Sequence, residues 1–185
     1  MAARSATYSP ARMASIAKAN IELARPKDLP FLWEMLTYAA SLVPGGAASV
    51  PAAQNDAYLS TFVTGWGRAD DLGVVAHGTA AGARRLGAAW VRSGLILAEP
   101  RVPELAIAIV PGWRGLGLGA ALMRDLFERS TGRFDAITLS VRDQNPALRF
   151  YERLGFRRER QLTNRVGGVS FVLRRPLDRG DSAAE

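Results

Sequence analysis

The chain has 185 residues, 48% hydrophobic and 22% charged, with a mean hydropathy of zero, which suits one domain with a real core and leaves too little chain for two. No stretch approaches the roughly 18 to 20 consecutive apolar residues of a membrane helix, and the lack of cysteine excludes disulfide scaffolds, cysteine-ligated metals and thiol nucleophiles together. The net charge of +7 comes almost wholly from arginine, since Lys18 and Lys27 are the only lysines; Arg4, Arg12 and Lys18 all precede the first acid, Glu22, and the balance from Glu22 onward is +4.

Residues 1–19 mix Ala, Ser, Arg and Pro without the apolar run of a secretory signal, and are expected to form a disordered tail. Their acid-free make-up also has the character of a mitochondrial transit peptide, and Met13 is an alternative start. A folded domain is expected over 20–177, and a loose polar tail over 178–185. Ile21 to Ala24 reads as a short strand. Arg25-Pro26-Lys27-Asp28 then opens a helix with Asp28 as its N-cap and Leu32, Met35 and Leu36 on its apolar side. Pro44 to Pro51 is a small-residue loop, followed by a second helix over about Asp56 to Val63. Leu72 to His77 and Arg85 to Arg92 form an antiparallel hairpin. His77, the single histidine, stands at its turn and receives no role.

Glu104 to Val110 is a nearly continuous apolar run, as a central strand covered on both faces requires. Pro111 to Gly119 ends it in a glycine-rich turn, and a helix continues through Leu122, Met123 and Leu126 with charged residues turned to water. Ala136 to Val141 is the next strand. Strand, glycine turn, helix and strand within about 40 residues make a parallel βαβ unit. Asn145-Pro146 caps a further helix that runs to Leu154 and stops at Gly155, and a final hairpin pairs Arg157 to Gln161 with Val169 to Arg175. The fold class is therefore α/β (α+β): one domain with a mixed central sheet of about six to seven strands flanked by about four helices.

The turn from Arg114 to Gly119 carries the clearest chemistry. Alternating glycines let a backbone approach a ligand closely, and the following helix offers unpaired N–H groups with a positive dipole end, which together cradle a pyrophosphate. Gly115, Gly117 and Ala120 also fit a dinucleotide fingerprint. That reading fails on position: about four strands precede the loop, and the acid expected some 20 residues on is missing.

Arg114-x-x-Gly117-x-Gly119 after an apolar strand, followed about 30 residues later by Asn145-Pro-Ala147-Leu-Arg-Phe-Tyr151-Glu-Arg-Leu-Gly155-Phe156, resembles the GNAT superfamily of acyl-CoA-dependent N-acyltransferases. The likeness extends over about residues 20 to 175 in strand and helix order. Gly65-Trp66-Gly67-Arg68, Asp71 to Ala76 and Gly87 to Trp90 resemble bacterial members of no assigned substrate. The resemblance implies acetyl-CoA as acyl donor, no metal, and transfer of the acetyl group to a primary amine, a small molecule or peptide, by direct attack in a ternary complex. It implies that the backbone of Arg114, Gly115, Leu116, Gly117, Leu118, Gly119 and Ala120 holds the pyrophosphate. It also implies that the strand edge at Ile109 and Val110, where the central strand bulges, pairs with the pantetheine arm.

Asn145 is either a cofactor contact or only a helix cap. Glu104 is the candidate general base, against a solvated strand-end carboxylate, and the Val110 N–H the candidate oxyanion donor. Tyr151 is the candidate acid for the departing thiolate, against a core aromatic. Trp33, Tyr38 and Trp66 line either an acceptor pocket or the core, and the acceptor is selected by the first helices, the loop from Ser41 to Ala53 and the final hairpin. A non-catalytic acyl-CoA sensor is the alternative function. A nucleic-acid role is not expected, because no aromatic residues interleave with the basic ones. A cytoplasmic location is expected, with no membrane partner and a homodimer as one option.

Overall fold

The structure, a computed structural model, describes residues 19–40, 49–78, 84–164 and 167–177. Most of the expected N-terminal tail, the C-terminal tail, the turn at 79–83 and the loop at 41–48 lie outside these residues. Seven strands form one sheet: β1 (Asn20–Leu23), β2 (Leu72–His77), β3 (Arg85–Arg92), β4 (Glu104–Ile109), β5 (Ala136–Arg142), β6 (Arg157–Thr163) and β7 (Val169–Pro176), in the order β1-β2-β3-β4-β5-β7-β6. All neighbouring pairs are antiparallel except β4 and β5, as the βαβ reading requires.

The helices are α1 (Leu29–Ala40), α2 (Val50–Asn55), α3 (Leu118–Ser130) and α4 (Leu148–Arg153), with short 3-10 turns at Pro26–Asp28 and Leu59–Phe62. β4 has the run of apolar residues of a strand sandwiched on both faces, and its parity decides what each face meets. Leu105, Ile107 and Ile109 join the core built with α3, where Leu118, Leu122, Met123 and Leu126 are buried. Ala106 and Ala108, small enough to let a helix lie close, join the core under α1 with Phe31, Leu32, Trp33, Met35 and Leu36. Each fully buried large aliphatic side chain contributes about 1.5 to 3 kcal/mol.

Three local expectations are corrected. Asp28 does not cap α1: its carboxylate reaches back to accept the Arg25 N–H at 2.9 Å and pairs with Arg85 at 2.8 Å, closing the 3-10 turn that precedes the helix. The helix expected over 56–63 is replaced by two pieces: α2 at Val50–Asn55, before that range, and the 3-10 turn at Leu59–Phe62, the one piece within it. Ser49 caps α2 by accepting the Ala52 N–H, and Asp56 then accepts the N–H groups of Tyr58 (2.9 Å) and Leu59 (2.8 Å), which breaks one helix and starts the 3-10 turn. Finally, β3 and β4 pair from Glu104 to Ile109 in unbroken register, so β4 carries no bulge there.

A buried ion pair ties the second of these pieces to the sheet. Arg92, fully buried in β3, donates to both carboxylate oxygens of Asp71 at 2.8 and 2.7 Å and to the carbonyls of Thr61 and Thr64. Burial alone would raise the Asp71 pKa, but the hydrogen bonds from Arg92 and from the Arg68 and Gly67 N–H groups outweigh it and hold the carboxylate below its ordinary value. Truncating one partner of such a pair leaves a buried charge and costs about 3 to 5 kcal/mol.

Candidate functional site

β4 and β5 share a single bridge, Glu104 with Thr138, where Thr138 donates to the Pro103 carbonyl at 3.0 Å; beyond it the strands part. The parting leaves backbone groups of β4 without a neighbour, and pairing parity identifies them. Val110 donates to the Leu86 carbonyl at 2.9 Å, which makes Leu86 and Val110 a hydrogen-bonded pair across β3 and β4. Hydrogen-bonded pairs alternate along an antiparallel ladder. The N–H and C=O groups of Ile107 and Ile109 therefore face the opening toward β5.

This corrects two expectations. The Val110 N–H is engaged by Leu86 and its carbonyl accepts from Trp113 at 3.0 Å, so it serves neither as oxyanion donor nor as pantetheine partner. Ile109 keeps its place on the edge, with Ile107 added. The Ile109 carbonyl accepts from Arg114 Nε at 3.1 Å, so this guanidinium lies along the strand edge.

The glycine turn behaves as its composition suggests. Gly112, Gly115 and Gly117 lie at φ of 86°, 75° and 83°, and Gly117 is the N-cap of α3. The first bond into the helix is from Ala121 N–H to the Gly117 carbonyl. Among the described residues, the six consecutive N–H groups from Gly115 to Ala120 meet no acceptor. A side chain at Gly117 would meet open space but would hold a strained φ. Unpaired N–H groups at the start of a thirteen-residue helix fit the diphosphate of a nucleotide-type donor.

Tyr151 owes its position to the end of α4. Gly155, at φ 86°, lets Phe156 N–H reach the Tyr151 carbonyl (3.1 Å) and Gly155 N–H the Glu152 carbonyl (3.0 Å), the paired bonds of a Schellman motif. The accompanying apolar contact is Tyr151 against Phe156, edge to face at 5.8 Å, with Phe150 on its other side at 5.4 Å. Desolvation pushes the phenol up to about 12, and its hydroxyl has no hydrogen bond among the described residues. Asn145 accepts the Ala147 N–H at 2.8 Å through Oδ1 in a turn ahead of α4, which begins at Leu148, two residues later than the Asn-Pro pair suggests, and its NH2 remains to reach a ligand.

Glu104 is not a solvated strand end. It is 1% exposed, faces the α1 side of the sheet with Ala106 and Ala108, and accepts the Tyr58 hydroxyl at 2.7 Å and the Leu97 N–H at 3.4 Å. Burial raises its pKa above the ordinary glutamate value; the hydrogen bonds from Tyr58 and Leu97 act in the opposite direction and are outweighed. Tyr58 is held in turn by the Asp56 cap and by an edge contact with Phe62 at 5.3 Å. Tyr58 is a site residue that sequence reading misses. The Asp two residues before it is the only local signal, since its partner lies 46 residues away.

One cleft of about 1250 Å3 joins these parts. The glycine turn, Ile107, Ile109, Tyr151 and Asn145 line it, as do Glu104, Tyr58 and Tyr38, while β5 to β7 supply Ser140, Thr163 and Ser170. Val110, Leu116 and Leu118 are not in its wall. Of the three aromatics that sequence could not divide between pocket and core, Tyr38 lines the cleft and Trp33 is buried in the core, whereas Trp66 packs on Gly73 and the Arg92 guanidinium. No group of His, Asp and Glu suited to a metal occurs among the described residues.

Residues 69–158 match the family model described as an acetyltransferase (GNAT) domain. A search of the curated proteins finds no match. Solved structures share the fold. A GCN5-related N-acetyltransferase from Kribbella flavida is 23% identical with a TM-score of 0.62, covering 87% of this chain and 99% of its own. An acetyltransferase of the GNAT family from Streptococcus pneumoniae is 18% identical with a TM-score of 0.64, covering 87% and 100%. Spermidine N-acetyltransferase from Vibrio cholerae, in complex with CoA and spermine, is 17% identical with a TM-score of 0.63, covering 87% and 96%.

Proposed function

We propose that the chain is a GNAT N-acetyltransferase, in keeping with the family model that matches residues 69–158, and that it moves the acetyl group of acetyl-CoA directly to a primary amine bound in the same cleft. The observation that carries this reading is the single cleft in which an unpaired N–H cradle, a buried carboxylate and a protonated phenol converge. A small amine as acceptor is also in keeping with the neighbour that holds CoA and spermine. A sensor that only binds acyl-CoA has no need of Glu104 and Tyr151 in the same cleft as the cradle.

The N–H groups of Gly115 to Ala120 hold the diphosphate, and Ile107 and Ile109 offer a strand edge to the extended arm of the donor, which supplies the activated acyl group. Glu104 takes a proton from the ammonium, directly or through water, because an alkylammonium of pKa about 10 is otherwise unreactive at neutral pH. The freed amine forms a C–N bond to the carbonyl carbon while the C–S bond breaks. The Ile109 N–H, on the open side of β4, donates to the carbonyl oxygen as charge gathers there. Tyr151 donates its O–H to the departing sulfur. A thiol of ordinary pKa near 8.5 does not take a proton outright from a phenol near 12, so the hydrogen bond itself, in a dry site, is what stabilises the leaving charge. The proton that Glu104 takes from the ammonium goes to solvent, the second proton, which the nitrogen sheds once the C–N bond has formed, passes by way of solvent to the departing thiolate, and the products are the amide and free thiol.

Gly117→Val is expected to weaken acetyl-CoA binding by about tenfold or more, because a branched side chain at positive φ re-aims the cradle. Calorimetric titration measures it, and undiminished affinity places the diphosphate elsewhere. Tyr58→Phe tests the base. The Tyr58 hydroxyl stabilises the ionised carboxylate, so its removal raises the Glu104 pKa further. Since the base must be deprotonated, the acidic limb of kcat/KM is expected to move to higher pH. An unmoved limb assigns that titration to another group.

A further inference from the structure

Resting on the reading of Glu104 as the base of an amine acetyltransferase, we propose that Asp71 is a positioning residue for it: by holding the Arg92 guanidinium in a closed cage, Asp71 keeps a buried cation from pairing with Glu104. Arg92 and Glu104 are register partners at the end of the β3–β4 ladder, and they share the α1 side of the sheet with Trp90 and Ala106. Their Cβ atoms therefore stand about 5 Å apart. Both side chains are 1% exposed or less. Two opposite charges so placed and so buried are expected to pair, because a buried charge without a partner is costly. Such a pair would favour the ionised form of Glu104 and weaken its hold on the proton it must take.

The fold directs the two groups to different partners. Arg92 gives Nε and Nη2 to the two oxygens of Asp71, at 2.8 and 2.7 Å, and Nη1 to the carbonyls of Thr61 and Thr64, at 2.8 and 2.7 Å. Glu104 takes the Tyr58 hydroxyl and the Leu97 N–H instead. The segment Gly65 to Asp71, which acetyl transfer itself leaves unused, closes the cage. Its Gly67 and Arg68 N–H groups donate to Asp71 Oδ2 at 2.8 and 2.9 Å, and the Trp66 ring lies against the guanidinium with its centroid at 5.6 Å. Gly73 makes room for that ring, since a Cβ there would stand 3.0 Å from it. The carbonyls that Arg92 also holds follow Tyr58 by three and six residues, so the guanidinium ties down the segment that presents the hydroxyl while its charge is spent on Asp71.

The other charged and titratable groups on the elements around Glu104 have partners of their own or lie further off. Asp56 accepts the Tyr58 and Leu59 N–H groups, and on α1 Glu34 accepts the Tyr38 hydroxyl at 3.2 Å. Arg101 pairs with Asp135, Arg174 with Glu99 and Glu159, and Arg114 donates to the Ile109 carbonyl. Arg142 stands four residues along β5 from Thr138, the strand partner of Glu104, which is about 13 Å. Arg92 is thus the cation set directly across from Glu104, and Asp71 is the anion that cancels it. Glu104 accordingly keeps the raised proton affinity that burial gives it.

The test reads the ionisation of Glu104 directly, by carboxyl-carbon NMR of the full chain labelled at glutamate, with the Glu104 signal assigned by its loss in Glu104→Gln and titrated without substrate. Asp71→Asn keeps the outline of the side chain and leaves Arg92 uncompensated, so Glu104 is expected to titrate at lower pH than in the wild type. Adding Arg92→Met to that variant removes the cation and is expected to return the titration to the wild-type position. Arg92→Met alone leaves the Asp71 anion and is expected to move it the other way, to higher pH, so whichever single variant folds carries the comparison with the double. Mere loosening of the Tyr58 contact moves Glu104 upward in every variant, which separates a structural role from the electrostatic one. A titration that Asp71→Asn leaves in place or raises, or a shift that the double variant does not reverse, overturns the inference while the acetyltransferase reading stands. Failure to release thiol from acetyl-CoA, with these shifts present, removes instead the base that Asp71 serves.

Discussion

Replacing Glu104 by glutamine is expected to lower kcat/KM for the amine by about 100- to 10,000-fold, the usual range for loss of a positioned base, while acetyl-CoA affinity changes little. The substitution tests the base with little structural disturbance. The two contacts use different oxygens of Glu104, so glutamine keeps its oxygen for the Leu97 N–H and turns its NH2 to the Tyr58 hydroxyl oxygen, which then accepts, and it places no charge in a site where Glu104 is almost wholly buried. It also carries a signature in pH. Because burial holds the Glu104 pKa above its ordinary value, the acidic limb of the wild-type profile lies above the normal glutamate range, and the variant loses that limb together with its rate. Steady-state kinetics across pH measures both. A variant within a few-fold of wild type at every pH shows that the amine arrives deprotonated without Glu104.

Tyr151→Phe is expected to reduce kcat by about 100-fold or more with acetyl-CoA binding nearly intact. The ring contacts with Phe150 and Phe156 survive the change, and so does the Schellman motif that fixes the position, because neither uses the hydroxyl. The phenol, pushed up to about 12, stays protonated through the whole working range, so its removal changes the rate without introducing a new limb in the pH profile. Thioester donors with a more acidic thiol should lose less, since their sulfur needs less help to leave. Unchanged turnover removes the leaving-group role and returns Tyr151 to the aromatic core.

The two predictions differ in how far the primary sequence foretold them. Tyr151 and the glycine turn were legible because local chemistry builds them: Gly155 ends α4 one turn after Tyr151, and glycines at Gly115 and Gly117 take the positive φ that turns the chain into α3. The sheet was legible for the same reason, since the apolar run of β4 and the βαβ order force its place. Glu104 was legible as a candidate but not as a buried group, because its burial depends on Tyr58 and Leu97, brought to it by tertiary folding. Which side of β4 offers its N–H groups could not be read at all. That parity is set by pairing with β3, and the bond from Val110 to Leu86 decides it. The same limit explains the helix expected over 56–63, where the Asp56 side chain competes for the backbone after α2 has ended and leaves only a 3-10 turn at Leu59–Phe62.

The most direct test of the cleft as a site of acetyl transfer is a stoichiometric one: incubate the full chain with acetyl-CoA and a primary amine, and count free thiol and acetylated amine together. The account predicts equal amounts of both, formed in proportion to enzyme, with the mass of the protein unchanged when acetyl-CoA is supplied alone. Tight binding of acetyl-CoA with no thiol released above the uncatalysed background contradicts it and leaves the chain an acyl-CoA-binding domain.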